Sequence, residues 1–291
     1  ILLYVEGVKH APSFLSAMRA TTRLKPVIVL KSGRHESSSA AAATHTGALM
    51  GADHVFDAAL ERTGAVRALS FGQLFAAAEI LSSNKRSGGN RLGIVTNGGG
   101  AGVLAADRAG DTRVDIATLS PKTIEKLDGV LPKYWSHGNP VDVLGDAGAE
   151  EYGAAVKAVY EDPNVDGMLV LLTPQAMTDV DAIAKAVVEA LPKRRTKPVL
   201  ASFMGETSVR EARQYLSMNG IADFATPEPA VSAFSYLALH HRNRKLALET
   251  PSPLSEMHHP DLDGARMIVD AVLAVSHQSP QKCPGSMSGP G

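Results

Sequence analysis

Among the ten histidines of this 291-residue chain, His45 stands in a run of small residues, Ala41-Ala-Ala-Thr-His-Thr-Gly-Ala-Leu-Met-Gly51. Residues 37–43 are only Ser and Ala, so no side chain there anchors a core and the backbone can come close to another group. A neutral imidazole is a nucleophile and a proton carrier near pH 7. A lone histidine is nevertheless more often a cap or a core residue, and it needs partners before chemistry is assigned. Glu6, followed by Gly7, closes an apolar run over 1–5. A carboxylate there could fix the tautomer of an imidazole and stabilise its positive charge, although an exposed strand-end glutamate is the commoner fate. Asn97-Gly-Gly-Gly-Ala-Gly102 also follows an apolar run and opens a helical pattern. Its glycines would let backbone N–H groups approach an anion at the positive end of a helix dipole. No Gly-Lys-Ser/Thr follows, and the spacing departs from the dinucleotide fingerprint, so taken alone the stretch reads equally well as a tight strand–helix turn. Together, a histidine, a carboxylate and a glycine-lined helix start are the parts needed to hold a phosphoryl group on histidine.

The remaining candidates are weaker. His137, beside Trp135 and before Gly138-Asn-Pro140, reads as a structural turn, and Asp142 could face the same rim as the glycine stretch. Arg34 could neutralise phosphate or simply be solvated. The pairs His240-His241 and His258-His259 are neighbours that diverge on a helix, which argues against a metal site, and none is expected. Cys283, the single cysteine, allows neither a disulfide framework nor a thiolate metal site.

Those residues must be positioned by alternating elements. Apolar runs at 1–5, 26–30 and 65–69 alternate with helical spacing at 12–23, 52–63 and 71–81. Residues 82–90 are polar and glycine-rich, the best domain boundary in the chain. Beyond them, strands are expected at 91–96, 114–117, 165–172, 198–203 and 221–225, with helices at 103–109, 121–131, 150–161, 179–191, 208–219 and 228–245. Residues 135–142 read as a loop, 250–260 as a linker and 261–275 as one more amphipathic helix. Such alternation specifies an α/β fold of doubly wound parallel sheets, with ligands beyond the carboxyl ends of the strands. The strand–helix series from 1 resembles the series from 165, so by the repeat's own logic the first unit lacks its opening strands. The non-Met start and a Pro/Gly/Ser-rich end over 280–291 are expected of a fragment. A net charge of −1 with 44% hydrophobic residues gives no electrostatic footprint for nucleic acid or an anionic membrane. With no spanning apolar run, a cytoplasmic protein is the default expectation.

Lys31-Ser-Gly-Arg34, Thr44-His-Thr-Gly-Ala-Leu-Met-Gly51, Gly93-Ile-Val-Thr-Asn-Gly-Gly-Gly-Ala-Gly102, Gly138-Asn-Pro-Val-Asp142 and Thr173-Pro-Gln-Ala-Met177 resemble the nucleoside-diphosphate-forming acyl-CoA synthetases. These are relatives of succinyl-CoA synthetase, and the branch of greatest likeness is ADP-forming acetate–CoA ligase. The resemblance runs from residue 1 to about 275. It implies two flavodoxin-like, succinyl-CoA synthetase-like domains, at 1–82 (truncated at its N-terminus) and 91–246, joined by a linker over 83–90. Residues 247–291 would then be a linker, a helix and a disordered tail at the start of an ATP-grasp domain. It further implies that His45 carries phosphate, that Glu6 steadies it, and that Thr46, Gly47, Asn97, Gly98, Gly99, Gly100, Ala101 and Gly102 bind the phosphoryl group. The implied substrates are a small carboxylic acid or acyl-CoA and phosphate. CoA and ATP/ADP with magnesium (Mg2+) would be bound mainly by CoA-binding and ATP-grasp domains supplied in cis or in trans, and none is expected tightly held here. A homo-oligomer is compatible with this. The runner-up is a non-catalytic acyl-CoA-sensing module that regulates a fused GNAT-type protein acetyltransferase.

Overall fold

A computed structural model of the chain describes residues 1–35, 53–83, 85–248 and 261–277. Residues 1–248 form one compact unit and 249–291 another. In the first unit two parallel sheets follow one another along the chain. The first contains β1 (Leu2–Val5), β2 (Ile28–Lys31) and β3 (Val66–Ala68) in the order β1-β2-β3. The second contains β4 (Arg91–Thr96), β5 (Asp115–Ile116), β6 (Val141–Asp142), β7 (Gly167–Leu172), β8 (Val199–Phe203) and β9 (Ala222–Asp223). Its order is β5-β4-β7-β8-β9, with the short β6 also pairing β4. Every pair is parallel. β1–β3 repeat the connectivity of β7–β9, as the internal repeat anticipates.

The helices are α1 (Ala11–Thr22), α2 (Asp53–Thr63), α3 (Phe71–Ser82), α4 (Gly99–Asp111), α5 (Pro121–Asp128), α6 (Ala149–Glu161), α7 (Val180–Glu189), α8 (Arg210–Met218) and α9 (Pro227–Leu248). Several starts are written in the sequence. Ser70 accepts from the amide of Gln73 at α3, Ser120 precedes Pro121 at α5, and Asp179 accepts from the amide of Ala182 at α7, each satisfying an otherwise orphaned first-turn donor. In the second unit the described residues form α10 (Leu262–His277), which leaves Leu262, Met267, Ile268 and Val269 exposed.

Strand alternation divides the packing. Leu169 and Leu171 of β7 face one way, into a cluster with Leu92 and Ile94 of β4. Met168, Val170 and Leu172 face the other, towards α6, α7 and α8. The first of these clusters is shared by both sheets. It takes in Ile28, Leu30, Val66 and Ala68, residues of α3 including Leu74 and Ile80, Ala101 and Ala105 of α4, and Phe234 and Leu237 of α9. The order across it is sheet, α3, the α4–α9 pair, sheet. The polar stretch at 83–90 therefore separates two sheets that share one core. Two contacts near the end of α9 reinforce this. Asn243 Nδ2 donates to the Ala65 carbonyl at 2.7 Å and Arg242 pairs with Glu61 at 2.8 Å. Gly167 permits the close approach of α9, since a Cβ there would lie 2.2 Å from Phe234 Cε2.

The loop expected at 135–142 ends instead in β6. Asn139 explains how so short a strand is held. Its Oδ1 accepts from the Ile94 amide at 2.9 Å, and its Nδ2 donates to the carbonyls of Leu92 and Ala117 at 2.8 Å each. One side chain thus fills the gap in the ladder between β5 and β6. Asn139→Ala would leave the Ile94 amide and the Ala117 carbonyl without this partner, while the Leu92 carbonyl keeps the Ala117 amide at 2.9 Å. It should lower unfolding stability by about 1.5–3 kcal/mol, read as a lower denaturant midpoint at unchanged slope. A loss under about 0.5 kcal/mol would refute the role.

Candidate functional site

In a sheet ordered β5-β4-β7-β8-β9, the order of strands reverses between β4 and β7, and the crevice beyond their carboxyl ends is where open α/β sheets take ligands. Asn97 and Thr173 leave these two strands and lock them together. Asn97 Oδ1 accepts from the Thr173 amide at 2.8 Å, and Asn97 Nδ2 donates to the Thr173 carbonyl at 3.0 Å. Asn97 is only 3% exposed, so this exchange is shielded from water. Thr96 completes the turn: its Oγ1 donates to the Gly98 carbonyl and accepts from the Gly98 amide, both at 3.0 Å.

The helix expected from residue 103 begins four residues earlier, with Gly98 as its N-cap. Glycine is a poor helix former, which is why the run reads as a turn, but in a first turn the amides have no intrahelical partner and the penalty is small. Gly98 offers no side-chain cap. The first intrahelical bond runs from the Gly102 amide to the Gly98 carbonyl at 3.1 Å, leaving the amides of Gly99, Gly100 and Ala101 at the positive end of α4. Space matches this. A Cβ on Gly100 would meet nothing within 4 Å, whereas one on Gly98 would lie 2.8 Å from Thr173 Oγ1. That hydroxyl is buried without a hydrogen-bond partner among the described residues.

Asp142 stands at the same rim. Its Oδ2 is 3.1 Å from where a Gly99 Cβ would be, and its Oδ1 accepts from the Leu144 amide at 3.0 Å. Leu144 adopts φ 75°, a conformation that costs a branched residue about 1–2 kcal/mol and gathers at functional sites. Gln175 lies across Gly145, where a Cβ would be 2.5 Å from its Nε2. Beneath them, Tyr152 donates to the Leu171 carbonyl at 2.8 Å. Burial pushes its phenol well above the usual tyrosine value; an Asn97 backbone contact opposes this and the charge of Asp142 adds to it. At the far side of the sheet, burial raises Asp223 against the Phe203 amide and Arg213, which pull it down. Thr173 and Gln175 enter the sequence reading only as part of the Thr173–Met177 motif, with no site role, and Tyr152 only within an expected helix. The signal available was the Thr-Pro-Gln that directly follows the apolar run of β7.

His45, Thr46 and Gly47 lie outside the described residues, as do His258, His259 and Cys283. The residues flanking that segment are placed at the carboxyl ends of β2 and β3. Lys31, buried at the end of β2, is 3.7 Å from Asp53 at the start of α2. Arg67 pairs with Asp53 at 2.6 Å and with Asp57 at 2.8 Å. Burial would lower the Arg67 guanidinium, but the two aspartates outweigh it and hold it raised. Arg34 donates to the Leu69 carbonyl at 3.4 Å. Glu6 is exposed just after β1 and lines a groove of about 1020 Å³ whose described lining comes from residues 1–27. The structure thus gathers Asn97–Gly102 with Asp142 and Thr173, and puts Glu6 at the rim of the other sheet. His137 belongs to the turn, with Nδ1 2.8 Å from Asp128 and Nε2 3.0 Å from the Lys133 carbonyl. Among the described residues no group of three or more His, Cys, Asp or Glu is placed to hold a metal. Nor is any helix long and apolar enough to cross a membrane.

Known proteins match this arrangement. Residues 1–81 match the succinyl-CoA ligase like flavodoxin domain and residues 92–241 the Ligase-CoA domain. The chain belongs to the nucleoside-diphosphate-forming acyl-CoA synthetases. It is 38% identical to the ADP-forming acetate–CoA ligase I of Archaeoglobus fulgidus, over 83% of this chain and 34% of that protein. It is 36% identical to the alpha subunit of the ADP-forming acetate–CoA ligase II of Pyrococcus furiosus, over 84% of this chain and 54% of the subunit. The dinucleotide forming acetyl-coenzyme A synthetase 1 of Ca. Korarchaeum cryptofilum, solved with phosphate and ADP, superposes with a TM-score of 0.76. It is 32% identical, and the match covers 89% of this chain and 55% of that one. The chain spans about a third to a half of the length of these relatives.

Gly100 gives a direct test of the uncapped helix start. Gly100→Asp adds a better helix former and a negative charge beside free amides. It should raise stability by about 0.5–1 kcal/mol, measured by thermal or denaturant unfolding. A destabilised variant would mean that those amides are already satisfied.

Proposed function

We propose that this chain is part of an ADP-forming acyl-CoA ligase, acetate–CoA ligase being the leading case, and that it passes a phosphoryl group through His45. Residues 1–82 would form the half that carries the histidine, and 91–246 the half that receives its phosphate. The observation that carries this reading is the uncapped N-terminus of α4 at the switch point of the second sheet, with the unpartnered Thr173 hydroxyl beside it. A relative of the same fold that binds phosphate and ADP supports it.

In the acyl-CoA-consuming direction, a phosphate oxygen attacks the thioester carbonyl, the C–S bond breaks, and CoA leaves as its thiol with acyl phosphate as the product. The unprotonated nitrogen of His45 then attacks phosphorus. The P–O bond to the acyl group breaks, the acid leaves as carboxylate, and a P–N bond holds the phosphoryl group. Glu6 steadies the ring through its other nitrogen. The amides of Gly99, Gly100 and Ala101 receive the phosphoryl oxygens, assisted by Thr46 and Gly47, and offset their charge without lysine or arginine. Finally an oxygen of the ADP β-phosphate attacks phosphorus, the P–N bond breaks, ATP is released and the imidazole is restored. The reverse sequence makes acyl-CoA from acid, CoA and ATP. CoA, the nucleotide and Mg2+ are held mainly by CoA-binding and ATP-grasp domains in cis or in trans.

The test is phosphate on His45. With the complementing domains present, ATP and Mg2+ should produce an acid-labile, base-stable label that maps to the peptide of His45. The label should be absent in His45→Ala and discharged by acetate plus CoA. An ATP-binding, folded assembly that takes no label would overturn the relay and favour acyl-CoA sensing coupled to a GNAT-type acetyltransferase. In the same assay Gly100→Asp, although folded, should slow turnover by about 10²–10³-fold, as much as losing one oxyanion donor, because its carboxylate repels the phosphoryl oxygens.

A further inference from the structure

At the opposite edge of the two sheets, near the amino ends of their strands, lies a smaller cavity of about 210 Å³ that no step above uses. Its walls are the end of α1 and the turn into β2, the segment after α3, and the last third of α9. From these come Arg23, Lys25, Lys85, Arg86 and Arg244, together with His240 and His241, and no acidic residue among the described residues lines it. None of the five lysines and arginines forms a salt bridge among the described residues; the nine ion pairs found there involve other cations.

The charges act on one another. Burial lowers Lys85, the nearby Arg195 lowers it further, and Glu79 alone opposes them. Burial lowers His240 too, reinforced by Arg244, Arg86 and His241. His240 Nδ1 is also buried without a hydrogen-bond partner among the described residues. One structural reason for cations here is that α1 and α3 both end at this place, and helix carboxyl ends attract positive charge. Two such ends amount to about one negative charge in all. With Glu79 added, that offsets only part of five full positive charges. Lys85 is half-buried and the other four cations are exposed around this partly open cavity, so their mutual repulsion is a surface effect that a bound anion would relieve.

We infer that this cavity, built by Arg23, Lys25, Lys85, Arg86 and Arg244, is a binding site for a compact polyanion of the diphosphate class. Its volume is below that of pockets for drug-sized ligands, which suits a small, highly charged group. Three guanidinium groups can each grip two phosphate oxygens. The anion is either free diphosphate or the diphosphate of a nucleotide whose remainder lies outside the cavity. Binding here bridges α1, α3 and α9 and so stiffens the junction of the two sheets. The site is independent of the phosphohistidine reading.

The experiment is a calorimetric titration of the chain, without magnesium, using inorganic diphosphate, ADP, AMP and inorganic phosphate. Diphosphate should bind with a Kd of about 1 mM or tighter, and AMP and phosphate at least tenfold more weakly. ADP matching or exceeding diphosphate identifies the nucleotide as the source; diphosphate alone binding identifies the free anion. Arg86→Ala with Arg244→Ala, both exposed and unpaired, should weaken binding at least tenfold, while Gly100→Asp should leave it unchanged. Absence of diphosphate binding would overturn the inference. So would binding that survives the double arginine substitution, or that is lost in Gly100→Asp, which would assign the anion to α4.

Discussion

The exchange of hydrogen bonds between the Asn97 side chain and the backbone of Thr173 is the contact on which the rest of the upper rim depends. A helix start whose amides are to serve a ligand has to stay uncapped, yet it must be held in place by something other than a cap. Asn97 does this from the strand side. It closes β4 against β7 where their ladder ends, and Thr96 then fixes Gly98. The amides that follow are aimed by a buried clamp and spend none of their own capacity. A cap of Ser or Asp at residue 98 would satisfy one of those amides, but its Cβ would lie 2.8 Å from Thr173 Oγ1. The approach of Asp142 and Thr173 to Gly98 and Gly99 rests on the same economy, since any side chain at those two positions would fill the space.

A second dependence lies in the middle of the molecule. The two sheets belong to one hydrophobic cluster, with α3 against one and α4 and α9 against the other. Because apolar burial is the main favourable term in folding, neither sheet keeps its full core without its neighbour. The rim of the first sheet, with Glu6 and the Lys31–Arg67–Asp53 network, is thereby fixed relative to the rim of the second.

Much of this was legible in the residues. Continuous apolar runs such as those of β2, β4 and β7 announce strands covered on both faces, and their alternation with amphipathic segments announces parallel sheets. The repeat from 1 and from 165 is real in the fold. Legibility failed where a side chain replaces backbone or where local preference misleads. Asn139 stands in for a missing piece of strand, which no periodicity records, so 135–142 reads as loop throughout. The glycines of α4 read as a turn because propensity speaks for helix interiors and not for first turns. The cations of the lower cavity come from residues 23–25, 85–86 and 244, so only folding brings them together. For the site, the glycine stretch read alone left an anion receptor and a tight strand–helix turn equally open, while Thr173, Gln175 and Tyr152 took their place from the crossing of β4 and β7.

The shared core also says where this chain can be divided. Residues 83–90 carry the polar, glycine-rich composition of an interdomain hinge, yet a break there would part Leu74 and Ile80 from Phe234 and Leu237 and expose apolar surface on both pieces. Past Leu248 the compact unit ends, and a division there severs no part of that cluster. For this architecture the stretch that looks most like a joint connects two family domains whose sheets share one core, so separating them would cost each piece part of its buried surface.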